Sequence, residues 1–162
     1  MINSKKVFEK MLQNMRFARV KSLLNGDILD FGGNDGELKP LVRGTYTIVN
    51  YDHAPMKGKK FDLIVLLAVI EHIHIQEVYS LFEKFKDHLK LGGKIVLTTP
   101  TPQSKGLLEF LASIYVLDKQ NIEEHKHYWN KKDIYDLANS NGYEVAEYYK
   151  FQLGYNQFAV FE

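Results

Sequence analysis

Four histidines and a handful of carboxylates carry most of the chemical reach of this chain. His72 and His74 stand beside Glu71 in EHIHI (71–75), and His125 and His127 stand in EHKHYW (124–129). Imidazole exchanges protons near neutral pH, so each is a candidate general base. For any single one, packing or capping is the plainer role. With Glu71 the four could also hold a metal, since imidazole suits zinc or nickel. A second constellation is ILDFGGNDGEL (28–38), where Gly32, Gly33 and Gly36 follow Asp30, and a further carboxylate, Asp52, closes a later apolar run. Bare backbone next to a carboxylate is what a nucleotide or amino-acid ligand needs for close approach. A phosphate cradle is disfavoured, because neither G-x-G-x-x-G nor G-x-x-x-x-G-K-[ST] occurs in any register. A glycine turn with no ligand at all stays open on the loop alone.

Bulk properties narrow the partners. The 162 residues suit one domain spanning 1–162. A formal net charge of +1 gives no field to attract nucleic acid or an anionic membrane surface, so neither is expected as a partner. The chain has no cysteine, which removes disulfides, thiolate nucleophiles and cysteine-based zinc sites. LIVLLAVI (63–70) is too short to span a bilayer, and the first residues lack a signal-peptide core, so a cytoplasmic location is expected.

The elements that must position these residues alternate. Apolar residues at helical spacing predict an amphipathic helix over 5–24, stopped by Asn25-Gly26. DILDF (27–31), TYTIVNY (45–51), FDLIVLLA (61–68) and KIVLTTP (94–100) read as strands, the third a near-continuous apolar run and so suited to cover on both faces. ELKPLVR (37–43) predicts a brief helix, 76–90 a helix ended by Gly92-Gly93, and two more helices lie near 104–117 and 131–140. The tail predicts an antiparallel hairpin turning at Leu153-Gly154. The fold class is therefore α/β, a mostly parallel sheet with an antiparallel edge pair, in residues 26–161 behind an N-terminal helix within 1–25. Ligands of such sheets sit beyond the carboxyl ends of the strands, which puts the first strand-to-helix turn at the site.

In order and kind, these stretches resemble the class I, Rossmann-like methyltransferases that use S-adenosylmethionine. Their first motif is an acid followed by G-x-G-x-G, here D-F-G-G-N-D-G with Asn34 in place of the middle glycine. Asparagine is among the few residues that tolerate a left-handed backbone, so the exchange is mild, though it adds bulk beside the cofactor's amino-acid part. Asp52-His53-Ala54-Pro55 is similar to the family's D-x-S-P, FDLIVLLAVIEHI to its fourth strand and following turn, and LKLGGKIVLTTP to its fifth. The resemblance covers about 26–161. It implies S-adenosylmethionine as cofactor and S-adenosylhomocysteine as product, with Asp30, Gly32, Gly33, Asn34 and Gly36 at the methionine part. Asp52 and His53 would serve the ribose side, and Leu67 and Ala68 would lie beneath the reacting centre. His72 and His127 are the preferred bases for a small-molecule acceptor, and the segment from Tyr115 to Trp129 reads either as a partial lid or as a helix packed on the sheet edge.

The pattern departs from the family in one place. Asp52 and Asp62 are only ten positions apart, where the family fits a helix, a third strand and an acidic turn that grips adenine. Residues 53–60 can cross extended at roughly 3.5 Å each. The expected sheet therefore has six strands in the order 2-1-4-5-7-6 by family number, with the third absent. Half of the adenine wall is then missing, and a non-catalytic module of the same fold, acting as a binding protein, is the alternative. The exposed edge strand can pair with a second copy, giving a homodimer. Ala68 stands where a related metal-binding turn in some relatives has its first acid, so no resident metal is expected.

Overall fold

A computed structural model describes residues 4–50, 53, 56–107 and 125–162. Its strands are β1 (Asn25–Phe31), β2 (Arg43–Val49), β3 (Phe61–Leu67), β4 (Leu89–Pro100), β5 (Val145–Phe151) and β6 (Asn156–Phe161), and its principal helices α1 (Ser4–Val20), α2 (Ile75–His88) and α3 (Lys131–Ser140). The sheet order is β2-β1-β3-β4-β6-β5. β1 runs parallel to β2 and β3, β3 runs parallel to β4, and β6 is antiparallel to both β4 and β5. In family numbers this is 2-1-4-5-7-6, and no third strand lies between β2 and β3 among the described residues. No helix among them is long and apolar enough to cross a membrane.

Residue alternation explains the layers. In β3, Leu63 and Val65 join the cluster under α1 with Val20, Leu24, Phe158 and Val160, while Ile64 and Leu66 join the cluster under α2 and α3. A strand covered on both faces has no use for polar positions, which is why the run from Leu63 to Leu67 is apolar. α2 presents Val78, Leu81, Phe82 and Phe85 to the core, and α3 presents Ile134, Leu137 and Ala138. Each of these buried side chains larger than alanine contributes about 1.5–3 kcal/mol, so the two stripes fix both helices on the sheet. α3 starts in a capping box, in which the Asn130 side chain accepts from the Asp133 amide while Asp133 accepts from the Asn130 amide.

Several boundaries differ from expectation. The α-helical part of α1 ends at Val20 and tightens into a 3-10 turn over Lys21–Leu23, so Asn25-Gly26 opens β1 instead of stopping a helix. Likewise α2 ends at His88, and Gly92-Gly93 falls inside β4, whose first residues already pair Leu89 with Phe61 through an irregular register. The brief helix after the glycine loop is a single 3-10 turn at Lys39–Leu41, with Pro40 in its first turn. The link to β3 is not wholly extended: the Met56 amide donates to His53 and the Lys59 amide to Met56, while the Met56 side chain is buried. Asp52, most of the helix near 104–117 and most of the segment from Tyr115 to Trp129 lie outside the described residues.

Candidate active site

Beyond the carboxyl ends of β1 and β3 a cavity of about 1440 Å³ opens between the glycine loop, the turn after β3, the first half of α2 and the inner face of α1. Pockets for small ligands commonly run to about 1,000 Å³, so this one has room for a cofactor and an acceptor together. The glycine loop is shaped by steric demands that the sequence states plainly. Gly32 has φ 79° and donates its amide to Val49 at 2.7 Å; a Cβ there would meet Val69 Cγ2 at 2.6 Å. At Gly33 a Cβ would fall 2.2 Å from the Asp30 carboxylate. Asn34 has φ 49°, the left-handed conformation in which asparagine replaces glycine. A reciprocal latch holds it there: the Asn50 side chain accepts from the Asn34 amide and donates to the Asn34 carbonyl, both at 3.0 Å.

Asp30 is 3% exposed and accepts a 2.6 Å hydrogen bond from the Tyr46 hydroxyl. Register explains the meeting. Asp30 pairs with Ile48 and Ile28 with Tyr46, so Tyr46 is one alternation back on the same face. Burial pushes the Asp30 carboxyl up to about 6, and the Tyr46 bond pulls it part of the way back. The Tyr46 phenol is itself driven upward, by burial first and then by Asp30.

The second cluster gathers at the turn after β3. Ala68 has φ 57° and donates its amide to Thr98, a left-handed alanine that turns the chain sharply out of the sheet. Glu71, 1% exposed, accepts from Thr99 Oγ1 at 2.9 Å. Burial raises its carboxyl to about 7, against the pull of its own amide, Thr99 and the Arg16 charge. Arg16 in turn is lowered by burial and held up by Glu71, and its Nε is enclosed without a hydrogen-bond partner. The segment carrying His125 is tied to the same turn. The Lys126 and His127 amides donate to the Glu71 carbonyl at 2.7 and 3.4 Å, and Trp129 Nε1 donates to the Ile70 carbonyl at 3.3 Å. The rings of His72 and His125 thereby meet edge to face at 4.7 Å.

Of the residues expected from the sequence, Asp30, Gly32, Gly33, Asn34, His53, Leu67, Ala68 and His72 all line the cavity. His53 does so with its ring against Phe31 at 5.3 Å. Gly36, at φ 76°, lies behind the loop next to Tyr46, outside the lining. His127 also stands outside it: its Nε2 is 3.1 Å from Asp133 in the α3 capping box, and its ring abuts Trp129. Sequence reading passed over Tyr46, Asn50 and Arg16. Arg16 had a signal, because it falls on the 12, 16, 20 stripe of α1 whose last member is fully buried.

A family model described as a methyltransferase domain matches residues 4–148, and the chain belongs to that family. No curated protein sequence matches it significantly. Among solved structures it is similar to the pyocyanin biosynthetic protein PhzM (15% identity, TM-score 0.66, covering 92% of this chain and 54% of that one). It is also similar to magnesium protoporphyrin IX methyltransferase from Synechocystis PCC 6803 with bound SAH (16%, TM-score 0.63, 98% and 84%). A third likeness is to an SAM-dependent methyltransferase from Archaeoglobus fulgidus (14%, TM-score 0.65, 91% and 93%). The chain thus spans about half the length of the first of these and most of the other two.

Proposed function

We propose that the protein transfers a methyl group from S-adenosylmethionine to a small-molecule acceptor, leaving S-adenosylhomocysteine. The observation that carries this reading is the glycine loop. It sets the side-chain-free backbone of Gly32 and Gly33 in the cavity lining beside a buried carboxylate, at the strand end where the family and its SAH-bound neighbour make that cofactor the consistent choice. Asp30 would take the ammonium of the methionine part and Asp52 the ribose hydroxyls, with His53 and Phe31 offering the purine an aromatic surface. Leu67 and Ala68 would floor the reacting centre. Methyl transfer is an in-line displacement: the acceptor lone pair forms the new bond to carbon, and the C–S pair returns to sulfur, neutralising the sulfonium. Alignment supplies most of the rate. His72 would take the acceptor proton, since it stands at the cavity and His127 is engaged by Asp133.

Calorimetry with S-adenosylhomocysteine tests the reading. Saturable binding that weakens at least tenfold in Asp52→Ala is expected. Absence of binding at millimolar ligand would favour the non-catalytic module, for which the short β2–β3 link speaks. A second copy pairing along the β2 edge is a further proposal, expected as a dimer in sedimentation.

A further inference from the structure

We propose that Glu71, His72 and His125 form a divalent transition-metal site at the acceptor end of the cavity. Each offers one donor atom, and the three atoms lie within 4.8 Å of one another. Around a tetrahedral metal with bonds of about 2.1 Å, donor atoms stand about 3.4 Å apart, so the set needs to draw together by at most about 1.4 Å. Two imidazoles and one carboxylate with a position left open is the ligand set of catalytic zinc and of non-haem iron.

The surroundings fit a site that is held in place. Glu71 is fully buried and steadied by Thr99, as ligating carboxylates are steadied by outer partners. His125 belongs to a segment pinned to the Glu71 carbonyl by two amides, so its position does not depend on the ring's own contacts. Its Nδ1 is enclosed with no hydrogen-bond partner, a costly state for an imidazole that a metal bond would relieve. The Tyr128 ring lies 5.2 Å away at an edge-to-face angle, walling the histidine pair on that side. Arg16 is a nearby cation, and Lys126 follows His125 in the same lining. Arg16 bears on Glu71 through its charge without a hydrogen bond, and Glu71, His72 and His125 all face the same cavity as it does. The donors come from two segments, the turn after β3 and the stretch before α3.

A metal here would bind the hydroxyl of a phenol or enol acceptor and lower its pKa. With the metal bound, His72 serves as a ligand and not as the base: the hydroxyl proton leaves to solvent, the oxygen takes the sulfonium methyl while the C–S pair returns to sulfur, and no electron is exchanged with the metal. This acceptor class rests on the methyl-transfer reading, whereas the metal site stands without it. Chelator-treated, tag-free protein titrated with Co²⁺ should develop visible ligand-field bands saturating at one equivalent, displaced by Zn²⁺. The bands should vanish in His125→Asn, whose far-UV circular dichroism should match the parent, and in Glu71→Gln where that variant folds. Absence of bands, or bands unchanged in His125→Asn, overturns the site. S-adenosylhomocysteine calorimetry on the same samples separates the two ideas: cofactor binding without Co²⁺ bands removes only the metal, and bands without cofactor binding support the metal while removing the methyl-transfer reading.

Discussion

Asp30 is a carboxylate that the fold tolerates at a cost, and replacing it with asparagine should make the protein more stable and less able to bind its cofactor. Burial raises its pKa from 3.8 to about 6. A folded pKa above the unfolded one means that stability is fullest below pH 4 and is lost as pH rises through 6. The difference of about 2.2 units corresponds to about 3 kcal/mol, roughly half of it falling between pH 5 and 8. Asp30→Asn keeps the shape and an oxygen for the Tyr46 hydroxyl and discards that penalty. Urea melts at pH 8 should show it more stable by about 1–3 kcal/mol, with less loss of stability between pH 5 and 8 than the parent. Glu71, raised from 4.5 to about 7, leaves its own decline in both proteins. Binding supplies the second arm. An ammonium favours the carboxylate, so the parent's affinity for S-adenosylhomocysteine should fall about tenfold per pH unit below 6, and Asp30→Asn should bind weakly at every pH without that slope. A parent affinity flat from pH 5 to 7, or an Asp30→Asn variant less stable than the parent at pH 8, would refute the reasoning.

Other changes have defined outcomes. Tyr46→Phe removes the donor that stabilises the Asp30 anion, so the cofactor's pH slope should start above pH 6, readable in the same titration. Gly33→Ala places a methyl 2.2 Å from the Asp30 carboxylate; it should cost about 1–3 kcal/mol in a thermal or urea melt and abolish cofactor binding at micromolar ligand. Asn50→Ala opens the loop latch at an exposed position, and the expectation is about 1 kcal/mol of stability with a several-fold weaker cofactor affinity by calorimetry. At Ala68, φ 57°, glycine should remain within about 1 kcal/mol of the parent while valine loses about 1–3 kcal/mol, measured by denaturant midpoint at constant m.

The architecture was legible because its signals are redundant. The apolar run from Leu63 to Leu67 requires cover on both faces, and the nine residues between Asp52 and Asp62 leave too little chain for a strand and a helix, so the strand order with its gap could be stated in advance. Asn34 was readable for the same kind of reason, since few side chains accept its backbone conformation. Boundaries were not, because Gly92-Gly93 suits either a helix stop or an irregular strand start, and pairing with Phe61 decided for the strand. Site partners were less visible still. Tyr46 reaches Asp30 only through the β1–β2 register, and His125 reaches His72 through hydrogen bonds to a single carbonyl more than fifty positions away in the chain. His127, two residues further on, is engaged instead by Asp133 of the α3 capping box. Asp62 is resolved by its neighbours: it accepts the Asp27 amide at 2.7 Å and Lys90 at 2.8 Å, locking the strands' opposite ends instead of serving the cavity.

The brevity of the connection from β2 to β3 bears on which donors the protein tolerates. With no strand between them among the described residues, the rim that would enclose the purine is short on the side beyond His53. Substituents on the exocyclic amine of that base should therefore project into water, and donor analogues tagged there should react nearly as well as the natural one.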